Sequence, residues 1–306
     1  MDYFNFSEKT IPSIVKKVLI CLLITPALCY SQEKVLTVLS GDNKIYQHFY
    51  SELENSLIEN HTLTQIQSQN LQHETFEQYD LIISIGSNAA KTIAEYEVDQ
   101  TVIYTLIPED ESLLHSAPCK RKNCYRVYIN QPAIRYVELF NALFTDKFRL
   151  ILASTSANTK LSKQLLAAAR NNNILYKEIH VEPNRSIARS LISQLNNNDI
   201  LLALPNPAIY NAYHSKNIIL SAYHKNIPII AYSKAFANAG ALISLYSSIE
   251  NIAEQTSDLA ISIYSNGEQK QKEYYPDEFS IEINSSVARS LNISIDSEDT
   301  IMRKIK

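Results

Sequence analysis

Glycine is scarce in this chain: four residues in 306, at positions 41, 86, 240 and 267. Loops that cradle phosphates with bare backbone need several glycines close together, so a glycine-rich nucleotide loop is all but excluded. No G-x-G-x-x-G, Walker, G-x-S-x-G or H-E-x-x-H pattern occurs either. Tryptophan is absent while tyrosine numbers 19. Any ring stacking on a ligand would fall to Tyr104, Tyr210, Tyr232 or Phe236, and most tyrosines must be structural. Positive charge is in short supply, with 28 Lys and Arg against 32 Asp and Glu and a net charge of −4. No basic stripe interleaved with aromatics is present, which argues against a nucleic-acid partner. The seven histidines are scattered. No metal site and no cofactor is expected, and nothing points to catalysis: the chain reads as a binding module, not an enzyme.

The first 31 residues stand apart. Lys16 and Lys17 precede an apolar run from Val18 to Leu28, and small or polar residues follow at Cys29, Ser31 and Gln32. A basic flank, a short apolar core and a small-residue end describe a secretory signal peptide, with cleavage expected after Ser31. The run is short for a membrane span. An uncleaved anchor or a buried helix are the alternatives.

Of four cysteines, Cys21 and Cys29 lie in that segment, leaving Cys119 and Cys124 separated by KRKN. In an oxidising compartment such a pair closes a small disulfide loop. Free thiols are a second possibility. Metal binding with His115 is a third, although no fourth ligand is in view.

From Glu33 onward, strand and helix patterns alternate. Short continuous apolar runs, expected of buried parallel strands, occur at KVLTVL (34–39), DLIISI (80–85), TVIYTL (101–106), FRLILA (148–153), DILLAL (199–204) and IPIIA (227–231). Helical periodicity separates them, as in Ile45, Phe49, Leu53 and Leu57. Pro205-Asn206-Pro207 reads as the start of a short helix. The two halves repeat one plan: Ser40-Gly41 corresponds to Ser154-Thr155, and Gly86-Ser87 to Pro205-Asn206. The fold class is therefore α/β, with two doubly wound Rossmann-like lobes joined by a hinge with multiple crossings. The lobes are expected at 32–128 plus 245–276 and at 129–244 plus 277–306. On this reading the stretch IPIIAYSKAFANAGALISL (Ile227 to Leu245) leaves one lobe and enters the other past the cleft.

Open α/β sheets bind ligands at the carboxyl ends of their strands. The turn residues there are Ser40, Gly41, Ser87, Asn88, Thr155, Asn206, Tyr232 and Ser233. Short hydroxyls, amides and helix starts hold a small polar ligand by hydrogen bonds. Each could equally be an ordinary helix cap.

These segments resemble a known family. IPIIAYSKAFANAGALISL (Ile227 to Leu245) and INSSVARSLNISI (Ile283 to Ile295), supported by DLIISIGSNAA (Asp80 to Ala90) and QPAIRYVELFNAL (Gln131 to Leu143), are similar to ABC-transporter substrate-binding proteins with the type I periplasmic-binding fold. The resemblance implies a solute held between two lobes, with cleft contacts at Ser87, Asn88, Thr155, Asn206 and Tyr232. It also implies a periplasmic location, a small-molecule solute such as an amino acid, and the membrane permease of an ABC importer as partner. A membrane sensor or envelope complex using the same fold is the rival reading, and an exported hydrolase with an unrecognised site is a third.

Overall fold

The computed structural model describes residues 33–305 apart from 58–60, 73–74, 97, 110–122, 145–146, 156–158 and 185. The segment expected to be a signal peptide lies outside the described residues, as do Cys119 and His115.

The apolar runs form the central strands. β1 (Glu33–Leu39), β3 (Leu81–Ile85) and β4 (Thr101–Ile107) are buried along nearly their whole length, because helices cover both faces. With β2 (His61–Gln67), β5 (Cys124–Tyr128) and β11 (Glu273–Tyr274) they make a six-stranded sheet ordered β11-β5-β4-β3-β1-β2, parallel throughout. The second sheet contains β6 (Arg149–Ser154), β7 (Leu175–His180), β8 (Asp199–Leu202), β9 (Ile229–Ala231), β10 (Ile243–Tyr246) and β12 (Ser280–Ile283). Its order, β12-β10-β9-β8-β6-β7, matches the first sheet's plan, except that β12 runs antiparallel to β10.

Helices flank each sheet. α1 (Lys44–Leu57) buries Phe49, Leu53 and Leu57 on one stripe. α2 (Ser87–Glu95) follows β3, and α3 (Ala133–Leu143) follows β5. In the second lobe α4 (Lys160–Asn171) starts behind the Thr159 cap, whose side chain accepts the Ser162 N–H. α5 (Ile187–Ser193), α6 (Ala212–His224) and α7 (Lys234–Ala239) come next. α8 (Ile249–Asn266) returns to the first sheet, where Thr256 Oγ1 lies 3.0 Å from Thr105 Oγ1. α9 (Ser285–Ser290) and α10 (Glu298–Met302) close the chain on the second lobe.

The stretch from Ile227 to Leu245 does not pass between lobes: β9, α7 and β10 all belong to the second sheet, and the chain crosses only after Tyr246. An apolar run reports burial, not which sheet supplies the neighbours, so the pattern reads the same either way. Pro205-Asn206-Pro207 starts no helix. Asn206 Oδ1 accepts the Ala208 N–H at 3.1 Å in a side-chain turn, and the helix begins at Ala212 behind Asn211.

The chain passes between the sheets three times, at 129–132, 247–248 and 275–279. Buried Gln131 and Arg135 brace these crossings together. Gln131 Nε2 donates to Ser247 Oγ at 2.8 Å, and Ser247 Oγ donates to the Glu278 carbonyl. Arg135 Nη1 bonds to Gln131 Oε1 and donates to the Pro276 carbonyl at 3.0 Å, while its guanidinium lies over the Phe279 ring, 4.3 Å from the centroid.

Candidate functional site

Every residue expected at the site lies beyond the carboxyl end of a parallel strand, and each lobe builds its own set. In the first lobe, Ser40 N donates to the Ile85 carbonyl at 3.0 Å, which joins the ends of β1 and β3. Ser40 Oγ accepts the Ala89 N–H at 2.8 Å. Gly86, the helix-start residue, supplies no side chain, so Ser40 caps α2 from a neighbouring strand. Ser87 is half-buried and Asn88 exposed beside it, and Gly41 is half-buried after β1. Tyr46, which the sequence reading missed, packs over this corner: a Cβ built on Gly86 would stand 2.8 Å from its hydroxyl.

In the second lobe, Thr155 is half-buried at the end of β6. Asn206 starts the turn that carries Tyr210, whose N–H donates to the Asn206 carbonyl at 2.7 Å. Tyr232 and Ser233 end β9, and Ser233 Oγ accepts the Phe236 N–H at 3.3 Å. Tyr232 and Tyr210 lie 5.5 and 5.9 Å from the Phe236 ring, in tilted and edge-on contacts. This trio, with Asn211, Ser233 and Lys216 at its polar side, lines a hollow of about 530 Å³. The Tyr210 hydroxyl is buried and has no hydrogen-bond partner among the described residues. Burial pushes its pKa up, with a smaller contribution from nearby Tyr232. Tyr104 is buried in the first core.

Charged groups at the lobe junction were not singled out from sequence. β4 carries a bulge between Thr105 and Ile107, with Leu106 at φ 52°, and the chain turns there to bury Glu109. The Glu109 N–H donates to Asn130 Oδ1 at 2.7 Å, and its Oε1 accepts from the Tyr275 hydroxyl at 2.7 Å. An acidic residue two positions beyond an apolar strand was the available signal. Among the described residues no group of three or more His, Cys, Asp or Glu could hold a metal ion. Cys124 is buried at the start of β5.

A sequence profile described as ABC transporter substrate binding protein matches residues 40–303. The chain belongs to the ABC transporter substrate-binding protein family. No curated protein sequence matches it. Solved structures share the fold of this substrate-binding chain. One is the ABC domain from Streptococcus pneumonia in complex with L-Trp, at 18% identity and TM-score 0.63, covering 89% of this chain and 98% of that one. A ligand-free, open substrate-binding protein with adhesive properties from Clostridium difficile also has 18% identity, with TM-score 0.64 and coverage of 87% and 97%. A conserved domain protein from Vibrio cholerae has 16% identity, TM-score 0.64 and coverage of 90% and 99%. The two parallel-dominated sheets are those of the two-lobe type I fold. Family membership implies a small-molecule ligand and a membrane ABC permease. No helix of the described residues is long and apolar enough to cross a membrane.

Proposed function

We propose that the protein is an exported, periplasmic solute-binding protein that captures a small polar ligand, an amino acid or related compound, for an ABC-type importer, and that it catalyses no reaction. The proposed lobes are 32–128 with 245–276 and 129–244 with 277–306, except that β10 (Ile243–Tyr246) pairs in the second sheet and carries that boundary to Tyr246. Carrying the reading is the placement of Ser87, Asn88, Thr155, Asn206, Tyr232 and Ser233 beyond the carboxyl ends of strands in two sheets of the same plan. Such ends present N–H groups, hydroxyls and amides suited to hydrogen-bonding a small polar ligand. The L-Trp complex of the Streptococcus relative supports an amino-acid ligand. Residues 1–31 act as the signal peptide, and Cys119 and Cys124 form a disulfide; a full thiol titre without reductant would refute that pairing.

Ligand capture closes the lobes about the braced crossings, a hinge-type movement that needs only a ligand favouring the closed state by a few kcal/mol. The test is a Ser87→Ala, Asn206→Ala double variant. It should keep its fold and lose ligand affinity, and unchanged affinity would remove both residues from the site.

One observation favours a second reading, a sensor or envelope-interaction protein. The rings of Tyr232 and Tyr210 are already in contact with Phe236, so part of the second lobe's wall is filled by its own side chains.

A further inference from the structure

Lys160 opens α4 in the second lobe, directly after the Thr159 cap. Its ammonium reaches across to the first lobe. Nζ lies 3.5 Å from Glu109 Oε1, just past β4, and forms an ion pair with Glu273 on β11. Tyr128 OH donates to the other Glu273 oxygen, Oε1, at 2.9 Å, and Arg126 stands 3.7 Å from that same oxygen. One turn along α4, Gln164 Oε1 lies 3.2 Å from the Tyr275 hydroxyl, which also bonds to Glu109. Tyr275 itself sits in the third crossing. The first turn of α4 is thus fastened by side chains to the first lobe and to the third crossing.

We propose that Lys160 is a positioning residue that sets the angle between the lobes, acting as an electrostatic latch on the Glu109–Glu273 pair. Glu109 is fully buried, and a buried carboxylate is stabilised by opposite charge brought close to it. Lys160 brings that charge from the opposite lobe, so swinging α4 away separates the charges and is disfavoured. Lys160 and Glu273 remain 38% and 35% exposed, which leaves the pair open to screening by salt. The inference rests on the two-lobe fold alone and stands whether or not a solute is ever found.

The test is small-angle X-ray scattering of the ligand-free full chain, comparing wild type, Lys160→Met and Lys160→Arg, with melting temperatures to certify folding. Lys160→Met should show a larger radius of gyration at low salt. Wild type should move towards that value between about 0.05 and 1 M NaCl, and Lys160→Arg should stay with wild type. A folded Lys160→Met that scatters as wild type overturns the proposal, as does a Lys160→Arg that expands equally. Should Lys160→Met fail to fold, the wild-type salt series decides: an unchanged radius overturns it.

Discussion

Ser40 Oγ accepts the backbone N–H of Ala89 at 2.8 Å, so the residue just after β1 caps the helix that follows β3. The two strand ends are locked into one corner of the first lobe. Ser40 therefore holds this wall of the first lobe in shape.

Gly86 makes that corner possible. It sits at φ 88°, and a Cβ there would lie 2.7 Å from Ser40 Oγ and 2.8 Å from the Tyr46 ring. Gly86→Ala should destabilise by at least about 1–3 kcal/mol from backbone strain alone. Gly41→Ala, which meets nothing within 4 Å, should stay within about 0.5 kcal/mol of wild type. Urea unfolding of both variants checks the contrast.

The braced crossings give a second prediction. Gln131 is fully buried and bonds to both Ser247 and Arg135. Gln131→Ala leaves polar partners unsatisfied in the junction and should cost roughly 1–3 kcal/mol. Equal stability in denaturant titration would show that water replaces the brace.

Much of the fold was legible before the structure. Runs such as DLIISI and DILLAL read as buried strands, and their polar ends marked where turns and helix starts fall. Lys160 with Glu109, and Gln131 with Ser247 at a separation of 116 residues, left no trace, because hydrophobic periodicity carries no information about charged or amide pairs so far apart. β11 spans two residues, too few for any period to register. A hydroxyl at a strand end reads alike whether it meets a ligand or, like Ser40, a neighbouring helix.

Acid and base each weaken the surface pair of His48 and Glu250, 2.6 Å apart between α1 and α8. The hydrogen bond from His48 is the largest cause holding Glu250 down at about 2, and the same bond raises His48 above 6.5. Glu250's contribution is present above its unfolded value of 4.5 and fades as pH falls towards 2. His48's is present below 6.5 and fades as pH rises through its raised value. The melting-temperature gap between wild type and His48→Ala should therefore be widest between about pH 4.5 and 6.5 and shrink on both sides. A gap that is flat with pH would contradict the pairing.

The orphaned Tyr210 hydroxyl yields the opposite sign. Tyr210→Phe removes a buried group without a partner among the described residues and should raise stability by about 1 kcal/mol. A lower melting temperature would reveal that the hydroxyl is bonded in solution.

The most direct measurement is a thermal-shift screen of the purified chain against amino acids, nucleosides, sugars, peptides and metal ions. A ligand that binds the folded state alone stabilises it by about 2.7 kcal/mol at a hundredfold excess over Kd. The account predicts a dose-dependent rise in melting temperature with one class of small polar solute, amino acids first. No shift across the whole panel would contradict solute capture and favour a protein partner.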